Sequence, residues 1–231
     1  SGVGLLDHAP DASAAEGAEL SAGPVAGGPG APAVPTLVYS GVHGIENQLA
    51  RHGVRMGDVR FVCHTHLHID HAGKDDLFPM NTTVVVNRKE LEYSVSGLMH
   101  PQYPAPDIKH LIDRLHTKSA LRFLDLEITG PVELMPGVYC DAANAHTEGS
   151  MNIHVHTADG IATICGDVIY DFNDQIVTPF NEIHDAEPRT TGNHGTSKRA
   201  EKAAIKKLLS SSRYLLPVHD RPAKIEGGMV V

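Results

Sequence analysis

At 231 residues, 41% of them hydrophobic and 20% charged, the chain is long enough for one substantial core and reads as an ordinary globular protein. A net charge of -9 argues against binding a nucleic-acid backbone, and 5% aromatics with no Trp argue against a base-stacking platform. No run approaches the roughly 20 apolar residues of a membrane span. No secretory leader pattern is visible, and three widely spaced cysteines (Cys63, Cys140 and Cys165) point to buried free thiols in a reducing, cytoplasmic setting rather than a disulfide framework.

Residues 1–35 stand apart. From Asp7 to Pro35 Ala, Gly, Pro and Ser dominate, and Val3–Leu6 is the only apolar cluster. Such a segment cannot bury enough surface to offset its ordering entropy, so a partly flexible low-complexity stretch is expected before a folded domain over 36–231. Pro35–Gly41 reads as a strand stopped at a Gly turn. Gly44 to His52, with Ile45 and Leu49 at i, i+4, predicts an amphipathic helix ended by Gly53. Val59–Cys63 reads as a buried strand.

Beyond that strand come His64, His66, His68, Asp70 and His71, before Gly73. Imidazole nitrogen and carboxylate oxygen are the usual zinc ligands where cysteine is not used. In an extended stretch alternate side chains point the same way, so His66 and His68 can hold one ion from one face. Asp70 and His71 lie further round the turn and suit a second ion.

The remaining elements follow in order. Lys74–Leu77 opens a short helix, Thr82–Val86 is a β-branched strand and Arg88–Ser94 a helix. A loop over 97–106 leads to a helix over Asp107–His116, with Ile108, Leu111, Ile112 and Leu115 on its inward face. Short strands are predicted at Leu121–Leu126, Val132–Met135 and Val138–Cys140. A loop carrying His146 follows. Asn152–His156 and Ile161–Cys165 form a hairpin around Asp159-Gly160, and Asp167 stands just past it. Residues 171–197 are polar and irregular. Ser197 caps a helix, Lys198 to Ser210, with Ala203, Ala204, Leu208 and Leu209 inward, and strand Tyr214–Val218 delivers His219.

The pattern His66-x-His68-x-Asp70-His71 resembles the signature of the metallo-β-lactamase superfamily, over roughly residues 36 to 222. The resemblance implies an α/β fold, a four-layer αββα sandwich. It also implies a dinuclear centre completed by a histidine, a bridging aspartate and a last histidine, which His146, Asp167 and His219 match in order. One ion would take His66, His68 and His146, another Asp70, His71 and His219, with Asp167 between them. The chain departs from the family at Tyr39, where an aspartate usually supports the metal loop, and at Ala145 and Val218, where Gly usually precedes the histidine. His64 is expected to support ligands, His154 and His156 to be structural, and His184 and His194 to lie in a loop with no strand to fix them.

Two divalent ions, zinc by donor type, would lower the pKa of a shared water from ~16 toward ~7 and produce hydroxide for attack on a small ester. Tyr170, three residues after Asp167, is similar to a tyrosine of the N-acyl-homoserine lactonase branch that reaches the substrate carbonyl, where a phenol would stabilise the oxyanion. Asp70 could also accept a proton or orient the nucleophile. A lactone, including a quorum-signal acyl lactone, is the leading substrate class. The enzymatic alternatives are glyoxalase II-like thioester hydrolysis, phosphoesterase or nuclease action, and β-lactam hydrolysis. A metal-binding sensor or pseudo-enzyme is the non-catalytic one. No nucleic-acid or membrane partner is expected. Residues 93–120 would shape the substrate pocket.

Overall fold

Val84, Val85 and Val86 are fully buried in succession, which a strand achieves only when both its faces are covered. They lie in β2 (Thr83–Asn87), seen in a computed structural model that describes residues 44–98, 100–181, 187–191 and 196–231. The expectations for 1–35, for Pro35–Gly41 with Tyr39, and for His184 and His194 fall outside the described residues.

β2 pairs in parallel with β1 (Phe61–Cys63) and β3 (Leu121–Leu124), giving a three-stranded sheet in the order β1-β2-β3. A second sheet is built from β4 (Val132–Met135), β5 (Val138–Ala142), β6 (Met151–Thr157), β7 (Gly160–Gly166), β8 (Tyr214–Pro217), β9 (Ala223–Glu226) and β10 (Met229–Val230). Its order is β10-β9-β8-β7-β6-β5-β4, antiparallel except where β7 runs parallel to β8.

Period-two alternation decides what each face meets. Cys140, Met151 and Ile153 of the large sheet join Val85 and Leu124 of the small one in a shared core, with Ile164 packed against it. Cys165, the next residue on β7, turns the other way. It joins Leu215, Ile225 and the apolar side of α7 (Lys198–Ser211), namely Ala204, Ile205, Leu208 and Leu209. Helices α3 (Arg88–Ser94) and α4 (Ala105–Leu115) pack on β2 and β3. The layers run helix, small sheet, large sheet, helix, as the αββα sandwich requires. All three cysteines are free, and burial pushes the Cys63 thiol up to about 11 and the Cys165 thiol up to about 12.

Residues 44–59 belong to a separate compact unit. It holds α1 (Ile45–Arg51), ended at Gly53 with φ 71°, and a 3-10 turn over Met56–Asp58 closed by the exposed Arg55–Asp58 pair. Val59 ends that turn, so β1 begins at Phe61 rather than at Val59.

Several boundaries differ from expectation for identifiable reasons. The α4 helix starts at Ala105 because Pro106, in its first turn, needs no amide donor there. Of its predicted inward face only Leu111 is fully buried. Ile112 and Leu115 are 38% and 48% exposed, while Arg114 is buried. The Arg114 guanidinium donates to the carbonyls of Thr82 (3.0 Å), Phe78 (2.6 Å) and Asp75 (3.1 Å), three points of the segment that leads into β2. Strand β3 stops at Leu124. The Leu126 amide donates to Asn87 Oδ1 at 3.3 Å, at the start of a short helix, α5 (Leu126–Thr129). On α7 Ala203 is exposed and Ile205 takes its place inside. The stretch read as irregular contains a π-helical turn, Asn173–Val177, and α6 (Thr178–Asn181).

A buried polar network ties α7 to the large sheet. Asp141 on β5 accepts from Asn152 Nδ2 (2.9 Å) and Lys207 Nζ (2.6 Å), and its Oδ1 lies 3.1 Å from His154 Nε2. The other ring nitrogen of His154 meets Thr163 Oγ1 at 2.9 Å, so His154 is structural, as expected. Burial pushes the Asp141 carboxyl up, but the hydrogen bonds from His154, Lys207 and Asn152 outweigh it and bring it to about 2. That lies below the unfolded value of about 3.9, so the ionised group stabilises the fold above pH ~4 and the benefit disappears as pH falls toward ~2. The stability gap between wild type and Asp141→Asn, read from urea unfolding, should narrow by about 2 kcal/mol between pH ~5 and pH ~2. A gap independent of pH would contradict this account.

Candidate metal centre

β1 ends at Cys63, and the chain runs on to His68, which is extended and forms the N-cap of α2 (Ile69–Ala72). The extended stretch puts His66 and His68 on one side, and the helical turn swings Asp70 and His71 round to another. The third histidine comes from a turn between β5 and β6. His146 and Asn144 there adopt φ of 68° and 56°, the left-handed region that side chains with a Cβ rarely occupy. The Ser150 hydroxyl bonds back to the Ala145 carbonyl and holds the turn. Asp167 follows Gly166, whose φ is 52°. A Cβ there would come within 2.6 Å of Thr65 Oγ1, so glycine lets β7 run hard against the metal loop. His219 follows β8.

These seven side chains converge in two groups, His66, His68, His146 and Asp167, and Asp70, His71, Asp167 and His219. In the first, Nε2 of His66, Nδ1 of His68 and Nε2 of His146 stand 3.0–3.2 Å apart as a triangle. Three imidazoles cannot satisfy one another around a triangle, since a neutral ring offers one donor and one acceptor in fixed directions. Tetrahedral ligation at about 2.0–2.1 Å sets donor atoms about 3.3 Å apart, close to what is seen. Asp167 Oδ2 lies 3.3 Å from His146 Nε2 and 3.7 Å from His66 Nε2. Its other oxygen, Oδ1, lies 3.0 Å from His71 Nε2 and 3.3 Å from His219 Nε2. Asp70 Oδ2 closes the second group, 3.3 Å from His219 Nε2 and 3.6 Å from His71 Nε2. One carboxylate thus faces both groups, and the donor set suits divalent metal ions.

Electrostatics favour the ligating forms. Burial holds His66 well below the ordinary imidazole value, helped by His71, His146 and His68. Burial likewise lowers His68 to about 4 and His146 to about 3. Neutral rings keep their lone pairs for a cation. Burial raises the Asp167 carboxyl, but the hydrogen bond and charge of His71 and the charge of His146 win and bring it to about 2. The first group is wholly buried, whereas the side chains of Asp70 (45% exposed) and His219 (34%) open the second to solvent. The cluster is therefore reached from solvent on the side of the second group.

Tyr170 lies at the edge of this centre. Its hydroxyl donates to Asp167 Oδ2 at 2.6 Å and its ring stacks on His219 at 4.7 Å with an interplanar angle of 6°. Burial, then the hydrogen bond to Asp167, pushes the phenol up, so it stays protonated and a donor. His64 is no part of either group; its Nε2 lies 2.9 Å from Asp75 Oδ1.

Sequence reasoning missed the residues that hold these ligands. Gln175, buried in the π-helical turn, accepts from the Tyr170 and Asp171 amides at 2.6 and 3.2 Å. Asp220 Oδ2 accepts from the Phe172 amide at 2.9 Å and links the Tyr170 loop to the His219 loop. Glu90 binds three segments around the first group. Local sequence carries little signal for any of them beyond polar residues in turns and at helix starts.

Fold and site together define an α/β protein with a histidine- and aspartate-rich cluster, fit to hold metal ions, at the ends of its strands. A family model described as the metallo-beta-lactamase superfamily matches residues 26–208. The chain belongs to that superfamily. His219 lies beyond the matched stretch.

Among solved structures, a mutant of AiiA from B. thuringiensis with N-decanoyl-L-homoserine at its active site matches with TM-score 0.53 and 23% identity. The match covers 76% of this chain and 59% of that one. AidC, a dizinc quorum-quenching lactonase in complex with a product, matches at 0.55 and 18%, covering 81% and 68%. A probable metal-dependent hydrolase from Staphylococcus aureus matches at 0.58 and 18%, covering 80% and 65%. At these identities the likeness establishes the fold. The chain spans less than three fifths of the length of the first two lactonase structures it matches. No curated protein matches the sequence. Among the described residues no helix is long and apolar enough to cross a membrane.

Proposed function

We propose that this protein is a metal-dependent hydrolase of small esters, with a lactone as its substrate class, acting in a reducing, cytoplasmic setting where Cys63, Cys140 and Cys165 stay free. The observation that carries the reading is the placement of Asp167, one carboxylate with an oxygen toward each of two histidine groups. His66, His68 and His146 would hold one divalent ion, and Asp70, His71 and His219 the other, with Asp167 shared and zinc favoured by the nitrogen-rich donors. Bound ions of this kind supply an acidified water as nucleophile and polarise the ester carbonyl.

The chain's own residues supply the rest. Burial of the first group excludes water from all but the Asp70–His219 side, so the ester enters there. Asp70 lies at that mouth, where it can orient the attacking water or accept its proton. The Tyr170 hydroxyl is a neutral donor held beside the shared carboxylate by Gln175 and by stacking on His219. Swung from Asp167 to an incoming carbonyl, it donates to the oxygen that becomes negative on attack. The lactonases among the structural neighbours bind homoserine products, which supports a lactone over a thioester or phosphodiester.

The test is a substrate panel. Metal-loaded protein assayed on acyl lactone, thioester, phosphodiester and β-lactam should favour the lactone, and a chelator should abolish turnover. Tyr170→Phe should lower kcat/KM on the lactone about 10- to 100-fold while metal content stays the same, because one oxyanion donor is lost. Undiminished lactone turnover would count against the role of Tyr170. No turnover of any ester by fully loaded protein would favour a sensor.

A further inference from the structure

Glu90 is a fully buried acid, 0% exposed, in the first turn of α3, and it is no member of either metal group. Its two oxygens collect donors from separate parts of the chain. Oε1 accepts from the Leu67 amide at 3.0 Å and from the Tyr103 hydroxyl at 2.9 Å. Oε2 accepts from the Thr147 hydroxyl at 2.6 Å. The Gly149 amide is a further backbone donor to the carboxylate.

Each donor is attached to the first metal group. Leu67 is the residue between His66 and His68. Thr147 follows His146, whose backbone is held in the left-handed region. Tyr103 packs its ring 4.8 Å from that of His68. Gly149 lies so close to the Glu90 backbone that a Cβ there would collide with it, and its carbonyl accepts from Asn87 Nδ2 at 3.0 Å. Thus Asn87 and Glu90, one before and one within α3, grip the His146 turn from both sides. A carboxylate removed from water is tolerable only when its lone pairs are filled, and here donors from the metal loop and the His146 turn fill them.

We propose that Glu90 is a positioning residue that clamps the His66–His68 loop to the His146 turn and so presets the three imidazoles of the first metal site. This rests on the reading that the first group holds a metal. Partners that orient ligands from behind affect metal affinity typically 10- to 100-fold, and Glu90 reaches both segments that supply these three histidines.

The experiment uses the full chain, stripped of metal and titrated with Co2+ against a chromogenic chelator. Glu90→Gln keeps the shape but offers a single acceptor oxygen, so the donors can no longer all be satisfied. Expected is a 10- to 100-fold weakening of one Co2+ equivalent with a changed visible spectrum, the other equivalent being much less affected. Thr147→Val and Tyr103→Phe each remove one donor and should weaken the same equivalent about threefold to tenfold. They carry the test if Glu90→Gln fails to fold by circular dichroism. Wild-type affinities and spectrum in a folded Glu90→Gln, or in both other variants, overturn the proposal even if the urea midpoint falls, since that is what a merely structural role predicts. No Co2+ binding by the wild type overturns the metal reading itself, and this proposal with it.

Discussion

Asp167→Asn is expected to cut lactone kcat/KM at least about a thousandfold, or about 4 kcal/mol of transition-state stabilisation, and to release one metal equivalent. The argument is geometric. Asp167 Oδ2 faces His146 and His66, while Oδ1 faces His71 and His219 at 3.0 and 3.3 Å. Asparagine preserves this shape, but one of its two positions becomes an NH2 group, which donates and cannot ligate. Whichever way the amide turns, one histidine group loses its oxygen. It also loses a negative charge that would offset the cations, at a residue only 3% exposed. Elemental analysis of the desalted variant beside the lactone assay checks both halves. A variant that keeps two equivalents and full turnover would remove the shared-carboxylate account.

Arg114→Met should destabilise the metal-free protein by about 3–5 kcal/mol in urea unfolding, with an unchanged slope. Methionine keeps the apolar stem of the side chain. It takes the charged donor away from the carbonyls of Thr82, Phe78 and Asp75, of which Asp75 keeps a second bond from the Phe78 amide at 3.2 Å. A buried group left without its partner costs about 1–3 kcal/mol, more when the lost donor was charged. These carbonyls belong to the segment between the metal loop and β2, so looseness there should also reach the ligands. A loss below about 1 kcal/mol would mean that water replaces the guanidinium.

The elements with strong local signals were legible from residue order. Helix α3 falls at Arg88–Ser94 as expected, and Ser197 caps α7 through a bond from the Ala200 amide at 3.1 Å. The β6–β7 hairpin closes beside Asp159, with Thr157 opposite Gly160. In each case the cause acts within a few residues: a cap, a turn or a period. The α4 helix shows where such reasoning ends. Its apolar stripe predicts an inward Ile112 and Leu115, but Arg114 goes in instead, because its guanidinium bonds three carbonyls of a segment distant in sequence. The short strands β9 and β10 were missed for a related reason: they exist by pairing with their neighbours and carry little pattern of their own.

The seven candidate ligands are named in the chain itself, since histidine and aspartate at strand ends are chosen for chemistry that few other residues perform, and the spacing from His66 to His71 places two donors on each side of a turn. What residue order alone left open is the support behind them. Glu90 meets Leu67 across 23 positions and Thr147 across 57, and Tyr170 rests its hydroxyl on Asp167 rather than in open solvent. Those pairings depend on how two sheets and a helix stack, a collective outcome of burial. Periodicity reports which face of an element is buried, whereas only the packed molecule decides which distant atom waits there.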